Sequence, residues 1–318
     1  MAICSAITTL ITSKLLTAQA QMPADIEIRP VTIMSDGTKM AGDVYLPKNR
    51  KPGDKLPAII MCAGTGGTKK GLPRRWAPIL AREGFAVLGF DYRGWGESDP
   101  LLMLVGDVPK PDEKGEATAK VKLIRWQMNL MDQTFDVRSA ISFMQAQPEV
   151  DPNRIGLFGS SYGGGVVTLM SAIDSRVKCT AAQVGGLGIG RDKLGFDLMM
   201  KQATGQTEPI PFETGKLGGK LSNYDQMRAN PAKSVGYGDK YDLVGRIRIP
   251  MIFIDAENEE LGNPKENGER FAKILKDNKV PVEYHVIKGI SHYGIYREGF
   301  QEATQLELSW FKKYLKGE

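Results

Sequence analysis

The stretch Arg154-Ile155-Gly156-Leu157-Phe158-Gly159-Ser160-Ser161-Tyr162-Gly163-Gly164, with Val166-Val167-Thr168-Leu169-Met170 close behind it, decides the fold. An apolar run breaks on a Gly-x-Ser-x-Gly turn and a second apolar run follows within three residues. Read as strand, sharp turn and helix, this arrangement holds a serine at the apex of the turn, its hydroxyl exposed and the next amide free to donate. Both glycines are needed because side chains at those positions would collide with neighbouring backbone. A bare Gly-x-Ser-x-Gly is a weak signal; the strand before it and the helix after it make Ser161 the candidate nucleophile.

Outward from this turn, the chain alternates short apolar runs with helical spacing. Residues 56–62 and 84–90 are continuous apolar runs, the pattern of strands buried on both faces, with helical spacing over 75–83 between them. Residues 129–145 read as a helix, 177–184 and 248–256 as strands, 266–276 as a helix, 282–287 as the last strand and 301–315 as a closing amphipathic helix. At the other end, alternating residues from Ile26, a turn at Asp36-Gly37 and a return run over 40–45 read as an antiparallel hairpin at a sheet edge. Strands alternating with helices mean βαβ units and a largely parallel sheet, hence an α/β fold. Periodicity fades between 185 and 245, so the expected organisation is a core of 26–184 and 246–318 with 185–245 inserted as a cap.

A serine hydroxyl is a poor nucleophile at neutral pH and needs a base. The chain has two histidines. His285 lies inside the strand 282–287, where a structural role is expected, whereas His292 follows that strand in a loop. A loop beyond the carboxyl ends of the strands is where an open α/β sheet keeps its site, so His292 is the candidate base. An acid should accept the proton on the other ring nitrogen and lie after a strand between Ser161 and His292. Asp255, Glu257, Glu259 and Glu260 compete there; Glu259 is the first choice, being set furthest into the turn while still preceding Leu261. Acyl transfer also needs amide donors for the developing oxyanion. Tyr162, directly after the nucleophile, should supply one, and the Gly64-Thr65-Gly66-Gly67 turn the other, with Thr65 ahead of Gly66. Trp95 and the apolar Phe196 and Met199 are candidate walls of a substrate pocket.

Composition narrows the alternatives. The 318 residues are 42% hydrophobic and 25% charged, with a formal net charge of +5 and both signs interspersed. A dense basic stripe is missing, which argues against nucleic-acid binding. Cys4, Cys62 and Cys179 have no Cys-x-x-Cys spacing and no neighbouring histidine, so no metal site is expected. Residues 1–20 are mostly apolar and end on Ala18-Gln19-Ala20, the small-x-small form of a signal-peptidase site, although no Lys or Arg precedes the apolar run and Lys14 interrupts it. They read as an export signal, implying a periplasmic or secreted protein; a terminal helix on a cytoplasmic protein is the other reading. The run is too short for a stable transmembrane anchor.

Gly159-Ser160-Ser161-Tyr162-Gly163-Gly164, Asp91-Tyr92-Arg93-Gly94-Trp95-Gly96-Glu97-Ser98 and the ending Gly289-Ile290-Ser291-His292 resemble the α/β-hydrolase superfamily. The opening from Ser35 to Pro47 is similar to its dienelactone-hydrolase-like and X-prolyl-peptidase/cocaine-esterase-like branches. The resemblance implies an eight-stranded, mostly parallel sheet with helices on both faces, a Ser–acid–His triad and no cofactor. It also matches Thr65 to the position after the His-Gly of the family's oxyanion turn. Two departures stand out: Ala63-Gly64 replaces that His-Gly, and the first-choice acid, Glu259, is a Glu where this branch more often has Asp. Dienelactone hydrolases proper use a cysteine nucleophile, so their activity does not carry over. The expected function is a serine hydrolase acting on small carboxylic esters through an acyl-enzyme. Amide or peptide cleavage, thioester or carbon–carbon cleavage and a non-catalytic binding role are the competing readings; the sequence leaves the oligomeric state open.

Overall fold

The computed structural model describes residues 23–187, 192–207, 212–213, 227–234 and 238–318. The expected export signal, and parts of the expected cap, lie outside the described residues. In chain order the elements are β1 (Ile26–Ser35), β2 (Thr38–Pro47), β3 (Leu56–Cys62), α1 (Leu72–Arg82), β4 (Ala86–Phe90), β5 (Leu101–Leu104), β6 (Val121–Ile124), β7 (Gln127–Met128) and α2 (Leu130–Gln145). They continue with β8 (Val150–Ser160), α3 (Tyr162–Ile173), β9 (Val177–Gln183), α4 (Asp192–Ala203), β10 (Phe212–Glu213), β11 (Arg228–Ala229), α5 (Lys240–Gly245), β12 (Met251–Asn258), α6 (Gly268–Asp277), β13 (Val282–Ser291) and α7 (Phe300–Phe311).

Eight strands form one sheet in the order β1-β2-β4-β3-β8-β9-β12-β13. The hairpin β1–β2 and the pairing of β2 with β4 are antiparallel; the pairings from β4 through β3, β8, β9 and β12 to β13 are parallel. The sheet is therefore mostly parallel, as its apolar runs require. One face packs against α2, α3, α5 and α6 through Val137, Val166, Leu243 and Phe271. The other packs against α1 and α7 through Trp76, Leu80, Trp310 and Phe311. Covering both faces buries β4, β3 beyond Leu56 and the inner half of β8 completely, which is why those runs show no alternation.

Local chemistry sets the element ends. The Asn129 side chain accepts the Asp132 amide and caps α2. Helix α1 starts at Leu72, ahead of the expected 75, because Pro73 sits in the first turn, where its missing N–H costs nothing. Strand β13 runs on to Ser291 and so delivers the chain directly to His292. The hairpin β5–β6 was not anticipated; Leu102 faces Leu123 and Leu104 faces Val121 across it, and all four are exposed. Cys62 and Cys179 are free and buried, behaving as small apolar residues. Among the described residues no helix is long and apolar enough to cross a membrane, and no three metal-ligating side chains gather.

Candidate active site

Strand β8 ends in the buried Ser160, and Ser161 turns the chain into α3 with φ +56° and ψ −124°. A positive φ at a residue with a Cβ is strained by roughly 1–3 kcal/mol and persists only where the surroundings enforce it. Here the Ser161 N–H donates to the Gln183 carbonyl at 3.0 Å, and the Ser161 carbonyl accepts Gly164 N–H at 2.9 Å. A Cβ at Gly159 would lie 2.3 Å from the Gly163 carbonyl oxygen, and one at Gly163 would lie 2.1 Å from that of Cys62. The two glycines of the motif are thus demanded by backbone packed against backbone.

His292 stands opposite, 4% exposed at the end of β13. Its Nε2 lies 3.0 Å from Ser161 Oγ, and its Nδ1 lies 2.8 and 2.9 Å from the two oxygens of Glu259. A carboxylate only accepts, so Nδ1 carries the hydrogen and Nε2 presents its lone pair to the serine hydroxyl. The Glu259 side chain is as buried as that of His292, and its Oε1 also accepts the Leu261 and Gly262 amides at 2.9 and 3.1 Å. Those donors keep the carboxylate aimed at the ring.

The other three acids separate by position. The Glu260 carboxylate accepts the His292 backbone N–H at 2.8 Å, so it anchors the loop and not the ring. Glu257 is exposed and accepts Lys288 Nζ and Gly289 N–H, both at 2.9 Å. Asp255 is 4% exposed and packed against Gly268, and burial raises its pKa to about 7.

The Gly64–Gly67 turn passes directly beside the serine. A Cβ at Gly64 would lie 3.0 Å from Ser161 Cβ and 3.6 Å from its Oγ, and the Gly67 N–H closes the turn on the Gly64 carbonyl at 2.9 Å. Thr65 is half-buried in this turn, next to Gly64. Trp95 is fully buried, its ring 6.4 Å from that of Tyr162 at 25°, and its indole N–H donates to the Gln127 carbonyl at 2.9 Å. It therefore backs Tyr162 from inside the protein and forms no open wall, a correction that follows from its lack of exposed surface. Phe196 and Met199 lie on α4 with 47% and 40% of their surface exposed, while the neighbouring Leu198 is buried.

One set of residues next to the candidate nucleophile carries no mark in the sequence. Ser160 Oγ is 2.6 Å from the Tyr296 hydroxyl and accepts Gln183 Nε2 at 2.9 Å, tying β8 to β9 and to the segment after His292. Ser160 is the variable position of a motif, and Gln183 and Tyr296 lie far off in sequence, so no local pattern marks them.

The family model described as X-Pro dipeptidyl-peptidase (S15 family) matches residues 36–200, and that of the prolyl oligopeptidase family matches residues 124–318. An uncharacterised 31.7 kDa protein of the traX-finO intergenic region of Escherichia coli is 24% identical over 306 residues, covering 82% of this chain and 92% of that protein. Hypothetical protein PA2218 of Pseudomonas aeruginosa superposes with a TM-score of 0.66 at 22% identity, over 93% of this chain and 96% of the other. Est1E of Butyrivibrio proteoclasticus, solved with ferulic acid bound, superposes with a TM-score of 0.62 at 18% identity, over 90% and 99%. Two family models that each cover more than half of the chain, on a sheet of this order, make the chain a hydrolase of the α/β-hydrolase superfamily, within the part of it that the S15 and prolyl oligopeptidase families share.

Proposed function

We propose that this chain hydrolyses small carboxylic esters through an acyl-enzyme on Ser161. The observation that carries the reading is the continuous array Ser161 Oγ, His292 and Glu259, at 3.0 and 2.8 Å, with both partners of the serine buried. Ser161 Oγ attacks the ester carbonyl while His292 Nε2 takes its proton, and Glu259 stabilises the imidazolium that forms. The tetrahedral oxyanion rests on the amides of Tyr162 and Thr65, a contribution worth about 2.7–4 kcal/mol per donor in well-studied hydrolases. The alkoxide leaves with the proton from His292. Water then adds to the acyl group by the same route in reverse and frees the serine.

An ester is a less demanding acyl donor for this array than an amide. Amide cleavage needs a protonated nitrogen as leaving group and, in a peptidase acting at chain ends, a subsite for the substrate's terminal amine. The peptidase family models keep amides in the test as the second reading. The reading also assigns residues 185–239 the part of a cap, ending before α5, which packs in the core, with Phe196 and Met199 facing the acyl chain.

The test is intact-mass spectrometry after incubation with a fluorophosphonate, alongside turnover of p-nitrophenyl butyrate and of the matching anilide. A single adduct on the wild type, lost in Ser161→Ala together with ester turnover, is the expected result. Faster release from the anilide would move the assignment to amides. An unlabelled, folded wild type would refute the mechanism.

A further inference from the structure

The ring and the hydroxyl of Tyr162 are held by two residues that share one support. Its ring stacks on Trp95, and its hydroxyl donates to Gln133 Oε1. The Trp95 indole N–H and Gln133 Nε2 both donate to the Gln127 carbonyl, at 2.9 and 3.1 Å. That fills both lone pairs of one oxygen and makes the dipeptide strand β7 the common foundation of the Tyr162 side chain. Gln133 is fixed further by accepting the Asn129 amide at 3.1 Å.

Strand β7 is itself held from its far side by a segment remote in sequence. Arg228 and Ala229 (β11) pair with Gln127 and Met128 in parallel. Asn230, 1% exposed, donates its side-chain Nδ2 to Gln127 Oε1 at 3.0 Å and its backbone N–H to the Met128 carbonyl at 2.9 Å. Lys233 adds an ion pair to Asp132 at 3.0 Å. The path runs Asn230, Gln127, then Trp95 and Gln133 together, then Tyr162.

We propose that Asn230 is a positioning residue for the oxyanion donor: by clamping β7 it sets the Tyr162 amide, so that residues 227–234 are a working part of the active site and not only its cover. The inference rests on the reading of Ser161 as nucleophile and of Tyr162 N–H as donor. A backbone donor placed by tertiary contacts binds the oxyanion more strongly than the planar ground-state carbonyl, so its misplacement lowers kcat and leaves KM nearly unchanged.

The experiment is steady-state hydrolysis of p-nitrophenyl butyrate by wild type, Asn230→Ala, Tyr162→Phe and the double variant, each normalised to the reactive serine counted with a fluorophosphonate. Each single variant should lower kcat about 5–20-fold, a fraction of the loss seen when a donor is removed outright, with KM within about twofold. The double variant should match the weaker of the two singles, because both cut one linkage. Multiplying effects, or an Asn230→Ala enzyme with wild-type kcat per labelled site, would overturn the inference. If Asn230→Ala does not fold, Tyr162→Phe alone decides it, since the loss of one hydroxyl leaves kcat untouched unless that tether matters. A wild type that takes no label overturns the esterase reading and this inference with it; a labelled wild type with unaffected variants overturns this inference alone.

Discussion

Adding one methyl group at Gly163 should disable the site from a position whose side chain would point away from it. A Cβ there lies 2.1 Å from the Cys62 carbonyl oxygen and 2.7 Å from that of Ala63. Close carbon–oxygen contacts in proteins sit near 3.3 Å, so one side must retreat by about 1 Å. Neither obstacle is the tip of a flexible side chain. Cys62 is paired with Gly159 in the β3–β8 ladder and leads directly into the Gly64–Gly67 turn, so its retreat disturbs both the elbow and the turn beside Ser161. Overpacking of this kind costs about 1–3 kcal/mol. In a chain of this size that is a fall in Tm of roughly 2–5 °C. A displacement of about 1 Å at the Thr65 amide should cost on the order of 100-fold in kcat. Urea unfolding and p-nitrophenyl butyrate hydrolysis of Gly163→Ala would read the two effects separately. Gly245→Ala is the control, because a Cβ there meets only the Asn278 side chain and Ile274, at 3.9 and 4.0 Å. A Gly163→Ala enzyme with wild-type Tm and turnover would refute the packing argument.

Two further predictions concern buried acids. Asp255 has its pKa raised from 3.8 to about 7, mainly by burial, so the folded state holds its proton more tightly than the unfolded state does. Its contribution to stability is complete below pH 4, declines as pH rises towards 7 and is then level, an integrated loss of at most about 4 kcal/mol. Asp255→Asn should flatten the stability curve between pH 5 and pH 8 in urea titrations; an unchanged slope would count against the assignment. Glu307 is buried beside Trp76, its Oε2 accepting the indole N–H at 2.8 Å, and burial raises its pKa. Glu307→Gln keeps an acceptor and should lose no stability at pH 8, whereas Glu307→Leu orphans the indole N–H at a cost of about 1–3 kcal/mol. Equal unfolding midpoints for the two variants would sink that account.

The parts legible in the sequence were those where one requirement dominates. Strands buried on both faces must be apolar throughout, so 56–62 reads as β3 without error at either end. The elbow was legible because backbone contacts at Gly159 and Gly163 exclude every other residue. His292 stood out because His285, the other histidine, lies within a strand, where its Nε2 is 3.0 Å from Glu283 Oε2. The competition among Asp255, Glu257, Glu259 and Glu260 is different in kind. Four acids within six positions differ only in where the chain turns, and the pairing of β12 with β13 shifts register between Ala256 and Asn258. That irregularity, invisible in composition, turns Glu259 towards His292 and Glu257 towards Lys288. The Trp95 expectation went astray because an aromatic beside a site can line a pocket or brace a neighbour, and only burial separates the two. The hairpin β5–β6 went unread because its exposed leucines and valine follow neither core nor surface rules.

The order of the sheet has a consequence for how the protein comes to life. On the proposed mechanism the nucleophile, Ser161, is synthesised 131 residues before its base, His292, and 98 residues before Glu259, and β9, β12 and β13 must dock in turn before they meet. Long-range parallel pairing of this kind forms late, after the entropy of closing large loops has been met. A nascent or half-folded chain therefore carries an exposed but inert hydroxyl and cannot attack the acyl groups around it. In a refolding experiment, the return of serine reactivity should lag the return of helical signal, making the active site a reporter of completed folding.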